Sequence, residues 1–149
     1  MKVKELMSKK LFTVGPEDML DKVFFLFNFE AIRHLPVVEK GKVVGVLSDR
    51  DLKKIMGPRK KIISDKDDGT QFIVHARRVR TVMHRGVTTI GPEEQAADAA
   101  AIMAKKKIGC LPVVQKDKLV GIITSTDILR AYVKLSQEVD KMFKNLGRK

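Results

Sequence analysis

Between residues 20 and 27 apolar side chains recur at Leu20, Val23, Phe24 and Phe27. This is the i, i+3, i+4, i+7 spacing of a helix with one face turned to a core. Two apolar runs follow, Leu35 to Val38 and Val43 to Leu47. They predict a pair of short strands, and their near lack of polar alternation predicts that both faces are covered. Glu39-Lys40-Gly41-Lys42 joins them, and its glycine supplies the positive φ of a tight hairpin. A further helix is predicted after Ser48, presenting Leu52, Ile55 and Met56 and stopped by Gly57-Pro58. Ahead of the first helix, Leu11 to Val14 reads as a short extended piece ending at Gly15-Pro16, with Pro16 placed at the first helical position, where its fixed φ is already suitable.

The whole pattern then occurs a second time. Sliding the sequence by about 76 residues superimposes two segments without a gap. Thr13-Val14-Gly15-Pro16-Glu17 falls on Thr89-Ile90-Gly91-Pro92-Glu93, Leu35-Pro36-Val37-Val38 on Leu111-Pro112-Val113-Val114, Val44-Gly45 on Val120-Gly121, and Asp51 on Asp127. The second copy predicts an extended piece at Val87 to Ile90, a helix with Ala96, Ala99, Ala100 and Met103 on one stripe, and strands at Leu111 to Val114 and Leu119 to Ile123 around Lys116-Asp117. Its last helix starts after Thr124 and runs through Ile128, Tyr132, Val133 and Leu135 to about Asn145, before Gly147. Each copy thus reads strand, helix, strand, strand, helix. One such unit is too small to bury its sheet alone, so the expected arrangement is a pseudo-two-fold pair, sheet against sheet with helices outside and a cleft at the seam. Residues 58–77 have no counterpart in the other copy; Asp65 to Gly69 reads as a polar turn and Gln71 to His75 as a short strand or extended crossover.

Composition narrows the function classes. The chain has 149 residues, 44% hydrophobic and 32% charged, an ordinary globular balance. No apolar run reaches the roughly 18–20 residues that span a bilayer, and the N-terminus lacks the continuous apolar core of a signal peptide, so a cytoplasmic protein is expected. Cys110 is the one cysteine, which excludes an intrachain disulfide and fits a reducing compartment. His34, His75 and His84 lack metal-ligand spacing, and no metal site is expected. The net charge is +12, with basic clusters at residues 53–61, 76–80, 105–107 and 144–149. Such a field can steer nucleic acid or another polyanion to the chain, but no aromatic residues interleave with the clusters as stacking platforms. A solvated basic surface and a polyanion-binding surface both remain open on this pattern.

The most informative chemistry lies where a strand ends and a helix begins: Val44-Gly45-Val46-Leu47-Ser48-Asp49-Arg50-Asp51, echoed by Val120-Gly121-Ile122-Ile123-Thr124-Ser125-Thr126-Asp127. A helix N-terminus offers unbonded N–H groups and partial positive charge, which favour a phosphate. The Ser48 or Thr124 hydroxyl adds a donor, a carboxylate three residues on can accept both hydroxyls of a ribose, and Gly45 and Gly121 would let a flat base approach the sheet. Ser/Thr-x-x-Asp is equally a capping box that satisfies the helix's own donors. Both readings stand at this point. No Ser/His/Asp, Cys/His or metal constellation supports an enzyme.

The joint pattern, T-V/I-G-P-E followed by RHLPVV or GCLPVV and then V-G-h-h-S/T-x-x-D (h, an apolar residue), resembles the cystathionine β-synthase (CBS) motif, and its two copies resemble a CBS-domain tandem or Bateman module. Arg33-His34-Leu35-Pro36, Ser48-Asp49-Arg50-Asp51, Ile108 to Pro112 and Thr126 to Arg130 are most similar to the bacterial acetoin-utilisation type. Members of that type often carry a C-terminal ACT-like domain, and the expectation here is a pair without one. The resemblance implies an α/β (α+β) fold of tandem β-α-β-β-α motifs: motif 1 over 1–56, a linker over 57–78, motif 2 over 79–135, and a helix extension with a basic tail over 136–149.

It also implies a regulatory module that binds an adenine nucleotide (AMP, ADP or ATP) or S-adenosylmethionine in two clefts, signals to a partner protein of unknown identity, and needs no obligatory cofactor. Carried over by position, one cleft would use Leu11, Arg33, His34 and Pro36 with Thr124, Thr126 and Asp127; the other Val87, Cys110 and Pro112 with Ser48, Arg50 and Asp51. Asp51 and Asp127 would hold ribose, and Arg33 and His34 would make the first cleft the more tolerant of phosphate charge. A homodimer through the CBS-motif helices is implied, with Phe25 and Phe29 extending the apolar arc of the first helix. The alternative class is a basic nucleic-acid or polyanion binder, which would show steep salt dependence.

Overall fold

The computed structural model describes residues 1–56 and 77–147. The predicted stop at Gly57-Pro58, the turn at 65–69 and the crossover at 71–75 lie outside the described residues. In chain order the elements are α1 (Val3–Leu6), α2 (Leu20–Phe29), β1 (His34–Glu39), β2 (Lys42–Ser48), α3 (Asp49–Met56), a 3-10 turn (Val79–Thr81), α4 (Ala96–Lys106), β3 (Cys110–Gln115), β4 (Lys118–Thr124) and α5 (Ser125–Leu146). Two compact units form: Phe12–Thr88 with Asp117–Leu119, and Met1–Leu11 with Thr89–Lys116 and Val120–Lys149.

In the unit built on the first copy, β1 and β2 pair antiparallel with Leu35 opposite Leu47. The turn between them places Lys40 and Gly41 at φ 51° and 78°, the two positive values a two-residue hairpin with the right twist requires. Val14, Leu20, Val23, Leu35, Val37, Leu47, Leu52 and Val79 form the buried cluster, with Phe24 and Phe27 packed against it. The predicted helical stripe is therefore the face that meets the hairpin. The leading strand shrinks to one parallel bridge, Val14 to Val37.

The other unit repeats this order. Its β3–β4 hairpin turns on Lys116 and Asp117 at φ 50° and 64° without a glycine. Val3, Ile90, Ala99, Met103, Leu111, Val113 and Ile123 form its core, and the extended piece again reduces to one bridge, Ile90 to Val113.

Neither helix starts at its Gly-Pro. α2 begins at Leu20 and α4 at Ala96, four residues beyond Pro16 and Pro92. The backbone between is committed elsewhere. Asp18 accepts from the Gly15 amide (2.7 Å), Leu20 N–H donates to Arg77 O (2.9 Å), Val79 N–H to Asp18 O (2.9 Å) and Arg80 N–H to Pro16 O (2.9 Å). In the second unit Val3 N–H donates to Glu94 O (2.8 Å), Lys4 N–H to Pro92 O (3.0 Å) and Ala96 N–H to Met1 O (2.9 Å).

Packing boundaries thus differ from repeat boundaries. The arm that precedes the first copy, Met1–Leu11, packs in the unit of the second copy; the arm that precedes the second, through Thr88, packs in the unit of the first. Val3 and Val79, equivalent under the repeat, each plug the other copy's core at 0% exposure.

Charge reinforces one arm. Glu93 accepts from Lys2 Nζ and Lys4 Nζ, both at 2.8 Å, and these bonds push its pKa down to about 2. A depressed carboxyl stabilises the fold above its ordinary pKa and loses that contribution as pH falls through the folded value. The difference in melting temperature between wild type and Glu93→Gln should therefore shrink as pH falls from about 4.5 to about 2. A difference that stays flat across this window in pH-resolved thermal denaturation would show that the ion pairs do not hold the arm.

Candidate functional site

Each second hairpin strand ends on a hydroxyl residue whose extended backbone leads directly into a helix. At Ser48 the amide and Oγ–H both donate to Asp51 Oδ2 at 2.8 Å, while the Asp51 amide donates back to Ser48 Oγ at 3.1 Å. At Thr124 the same box forms: the amide and Oγ1–H donate to Asp127 Oδ2 at 2.8 and 3.0 Å, and the Asp127 amide donates to Thr124 Oγ1 at 3.4 Å. The capping reading of Ser/Thr-x-x-Asp is thus realised in both copies. It engages one carboxylate oxygen in each.

The second oxygen distinguishes the two turns. His84 Nε2–H donates to Asp51 Oδ1 at 2.7 Å. Among the described residues Asp127 Oδ1 has no bonded partner. Ser8 stands under the repeat where His84 stands, and its backbone makes the equivalent bridge, Ser8 to Ile122 as His84 to Val46, but among the described residues its side chain makes no hydrogen bond to Asp127. Asp51 is accordingly only 8% exposed, against a half-buried Asp127. Burial opposes ionisation of Asp51, yet the bonds from Ser48 and His84 together outweigh it and hold the carboxyl below its ordinary range.

The glycines serve a different neighbour from the one expected. A Cβ on Gly121 would lie 2.5 Å from Met7 Sδ and 3.0 Å from Ser8 O; one on Gly45 would lie 2.8 Å from Met83 Sδ and 3.0 Å from His84 O. The arm crosses the strand at each glycine. The missing side chain is needed for that crossing, which corrects the reading of Gly45 and Gly121 as an open floor for a flat base.

The predicted site residues divide between the units. Leu11, Cys110, Pro112, Thr124, Thr126 and Asp127 lie in one; Arg33, His34, Pro36, Ser48, Arg50, Asp51 and Val87 lie in the other. The arm exchange places Leu11 in the unit of Thr124 and Asp127, and Val87 in the unit of Ser48 and Asp51. Cys110, Pro36 and Pro112 are buried, and Thr126, Arg33 and Arg50 are exposed. His34 pairs with Ser48 across the hairpin. Burial draws its pKa below the ordinary histidine value against the opposing pull of the Asp49 and Asp51 carboxylates, with Arg33 and Arg50 adding to the lowering.

His84 escaped the sequence reading as a site neighbour. The signal was present: Met7-Ser8 falls on Met83-His84 at the repeat offset, well upstream of the Gly-Pro anchors. Between α4 and α5 lies a groove of about 270 Å³ lined by Ala100, Met103, Ala104, Ile108, Ser125, Ile128 and Leu129. Being apolar and lacking every predicted site residue, it offers little to a ribose or phosphate. Among the described residues no group of three or more His, Cys, Asp or Glu could hold a metal, and no helix is long and apolar enough to cross a membrane.

Comparison with known proteins agrees with this geometry. The profile of the CBS domain matches residues 3–57 and 79–134. A CBS domain-containing protein of Dictyostelium discoideum is 30% identical over 92% of this chain and 94% of its own length. Relatives in Methanocaldococcus jannaschii are longer, and the chain spans 31%, 39% and 46% of three of them. Among solved structures, a Vibrio cholerae protein assigned to acetoin utilization (AcuB) is 31% identical with a TM-score of 0.74, covering 95% of this chain and 96% of that one. A CBS domain pair solved with 5′-methylthioadenosine and S-adenosyl-L-methionine is 27% identical at TM-score 0.71, over 90% and 97% of the two chains. CBSX2, solved with AMP, is 26% identical at TM-score 0.73, over 89% and 97%. With the motif doubled, the hairpin-to-helix turns built alike in both copies and the profile matching each of them, the chain belongs to the CBS domain family and carries the domain as a tandem pair.

Proposed function

We propose that the pair is a regulatory module that binds an adenosyl ligand at its Ser/Thr-x-x-Asp turns and passes occupancy to a partner protein by shifting a conformational equilibrium. The observation that carries this reading is the Thr124 turn. Its helix start is capped by its own hydroxyl, yet Asp127 keeps one carboxylate oxygen without a partner among the described residues. A ribose diol is the hydrogen-bond donor pair that such an oxygen suits. The ligands of the related pairs, AMP in one and S-adenosyl-L-methionine with 5′-methylthioadenosine in another, support the adenosyl class. Leu11, Thr126 and Asp127 would serve one site and Val87, Arg50 and Asp51 the other, with Arg33 available to phosphate. Phe25 and Phe29, in a tilted ring contact at 4.6 Å between centroids and 56% and 72% exposed, support a homodimer through α2.

Thermal denaturation with AMP, ADP, ATP, S-adenosylmethionine and methylthioadenosine at fixed salt tests the proposal. A cognate ligand at 100 times its Kd should stabilise the fold by about 2.7 kcal/mol. No response to any of the five would overturn it. The net charge of +12 favours polyanion binding as the second reading. Binding to mixed-sequence DNA that collapses between low and physiological salt, with no adenosyl response, would select it.

A further inference from the structure

The two Ser/Thr-x-x-Asp turns share their capping bonds and differ around one atom. In each, the hydroxyl residue gives its amide and its O–H to the carboxylate's Oδ2. At Oδ1 they part. His84 Nε2 lies 2.7 Å from Asp51 Oδ1, and since an ionised carboxylate only accepts, the ring nitrogen is the donor. Ser8 takes the place of His84 in the other unit, and among the described residues Asp127 Oδ1 has no hydrogen-bond partner. The backbone does not make this difference. His84 exchanges two bonds with Val46 at 3.0 and 3.2 Å, Ser8 exchanges two with Ile122 at 2.9 and 3.0 Å, and each arm crosses its strand at a glycine.

An imidazole N–H and a ribose O–H seek the same acceptor. A carboxylate oxygen can take two bonds, but with the ring in place Asp51 is 8% exposed, whereas Asp127 is half-buried. A ribose diol therefore reaches Asp51 only as the ring leaves. Departure is open to it, because the His84 side chain is 71% exposed and the backbone bonds to Val46 hold the arm whichever way the ring points.

We infer that His84 is a built-in competitor for the Asp51 turn, a latch that makes it the second of the two turns to take an adenosyl ligand. The inference rests on the adenosyl reading above and adds an order of filling to it. Ligand occupies the open Asp127 turn first, and a higher concentration displaces His84 and fills the Asp51 turn. Solvent screens the exposed ring, so the latch should weaken binding at Asp51 about tenfold, the low end for a hydrogen bond to a charged group. The pair then responds over two ranges of ligand concentration instead of one.

Calorimetric titration of the full chain with AMP and with methylthioadenosine tests it. Methylthioadenosine presents a ribose diol without a phosphate, so its affinity isolates the ribose contact from the change in local charge when the histidine is removed. In an Asp127→Ala background, which leaves the Asp51 turn intact, adding His84→Ser should tighten binding about tenfold. The reciprocal Ser8→His in the otherwise wild-type chain should weaken the first binding event about tenfold with no fall in Tm, a combination that a damaged fold does not produce. Equal affinity of Asp127→Ala with and without His84→Ser overturns the latch and leaves the adenosyl reading standing, as does a Ser8→His variant that binds like wild type. Failure of both compounds to bind wild type or any variant also overturns the latch, and the five-compound denaturation panel then decides the adenosyl reading separately.

Discussion

Asp127→Ala is expected to weaken adenosyl-ligand binding by about 10- to 100-fold, since a hydrogen bond to a charged acceptor contributes about 1.5–3 kcal/mol. The expectation follows from the division of labour within one carboxylate. Oδ2 takes both donors of Thr124, and Oδ1 is left to accept from outside. Alanine also removes the carboxylate half of the capping box, leaving the Thr124 hydroxyl to accept from the residue-127 amide, at a cost of about 1 kcal/mol that thermal denaturation would register separately. Asp127→Asn keeps an acceptor for the Thr124 amide while losing the charge, so it should bind more weakly than wild type and more tightly than the alanine variant. Calorimetric titration at fixed salt reads all three. Equal affinity in wild type and Asp127→Ala would take this carboxylate out of the site.

The same substitution in the other copy should act mainly on stability. Asp51 is nearly buried and accepts from the Ser48 amide, the Ser48 hydroxyl and His84. Asp51→Ala strands those donors and should destabilise its unit by about 2–3 kcal/mol, roughly twice the capping loss expected at Asp127. The Ser48 bonds account for most of this, because the His84 side chain is 71% exposed and solvent screens its share. The pH dependence has a definite sign. Asp51's depressed carboxyl stabilises above its ordinary pKa, so wild type and variant should converge in stability as acid protonates it. Denaturant titrations at neutral and acid pH would show this, and a variant as stable as wild type at neutral pH would refute the account.

Much of this architecture was legible because it is local. The hairpins could be read from apolar runs around Lys40-Gly41 and Lys116-Asp117, the α2 face from the Leu20-Val23-Phe24-Phe27 spacing, and both capping boxes from a hydroxyl and a carboxylate three residues apart. What escaped is long-range. The Gly-Pro pairs suggested helix starts at Pro16 and Pro92, but hydrogen bonds from Arg77–Arg80 and Met1–Lys4 hold those turns open until Leu20 and Ala96. No periodicity reports a partner so distant in the chain. The same limit hid the role of His84: the repeat offset aligns it with Ser8, but not even that match reports the arm crossing β2 at Gly45 on which the role depends.

Because each copy's core is finished by a valine from the other's leading arm, the two motifs are not separable modules. Chain severed near residue 76 would leave one fragment without Val79 and the other without Val3, each with a hydrophobic socket open to water. Supplied together, the fragments hold every piece both sockets need. The duplication is therefore visible twice in sequence, yet each core draws on chain from both halves.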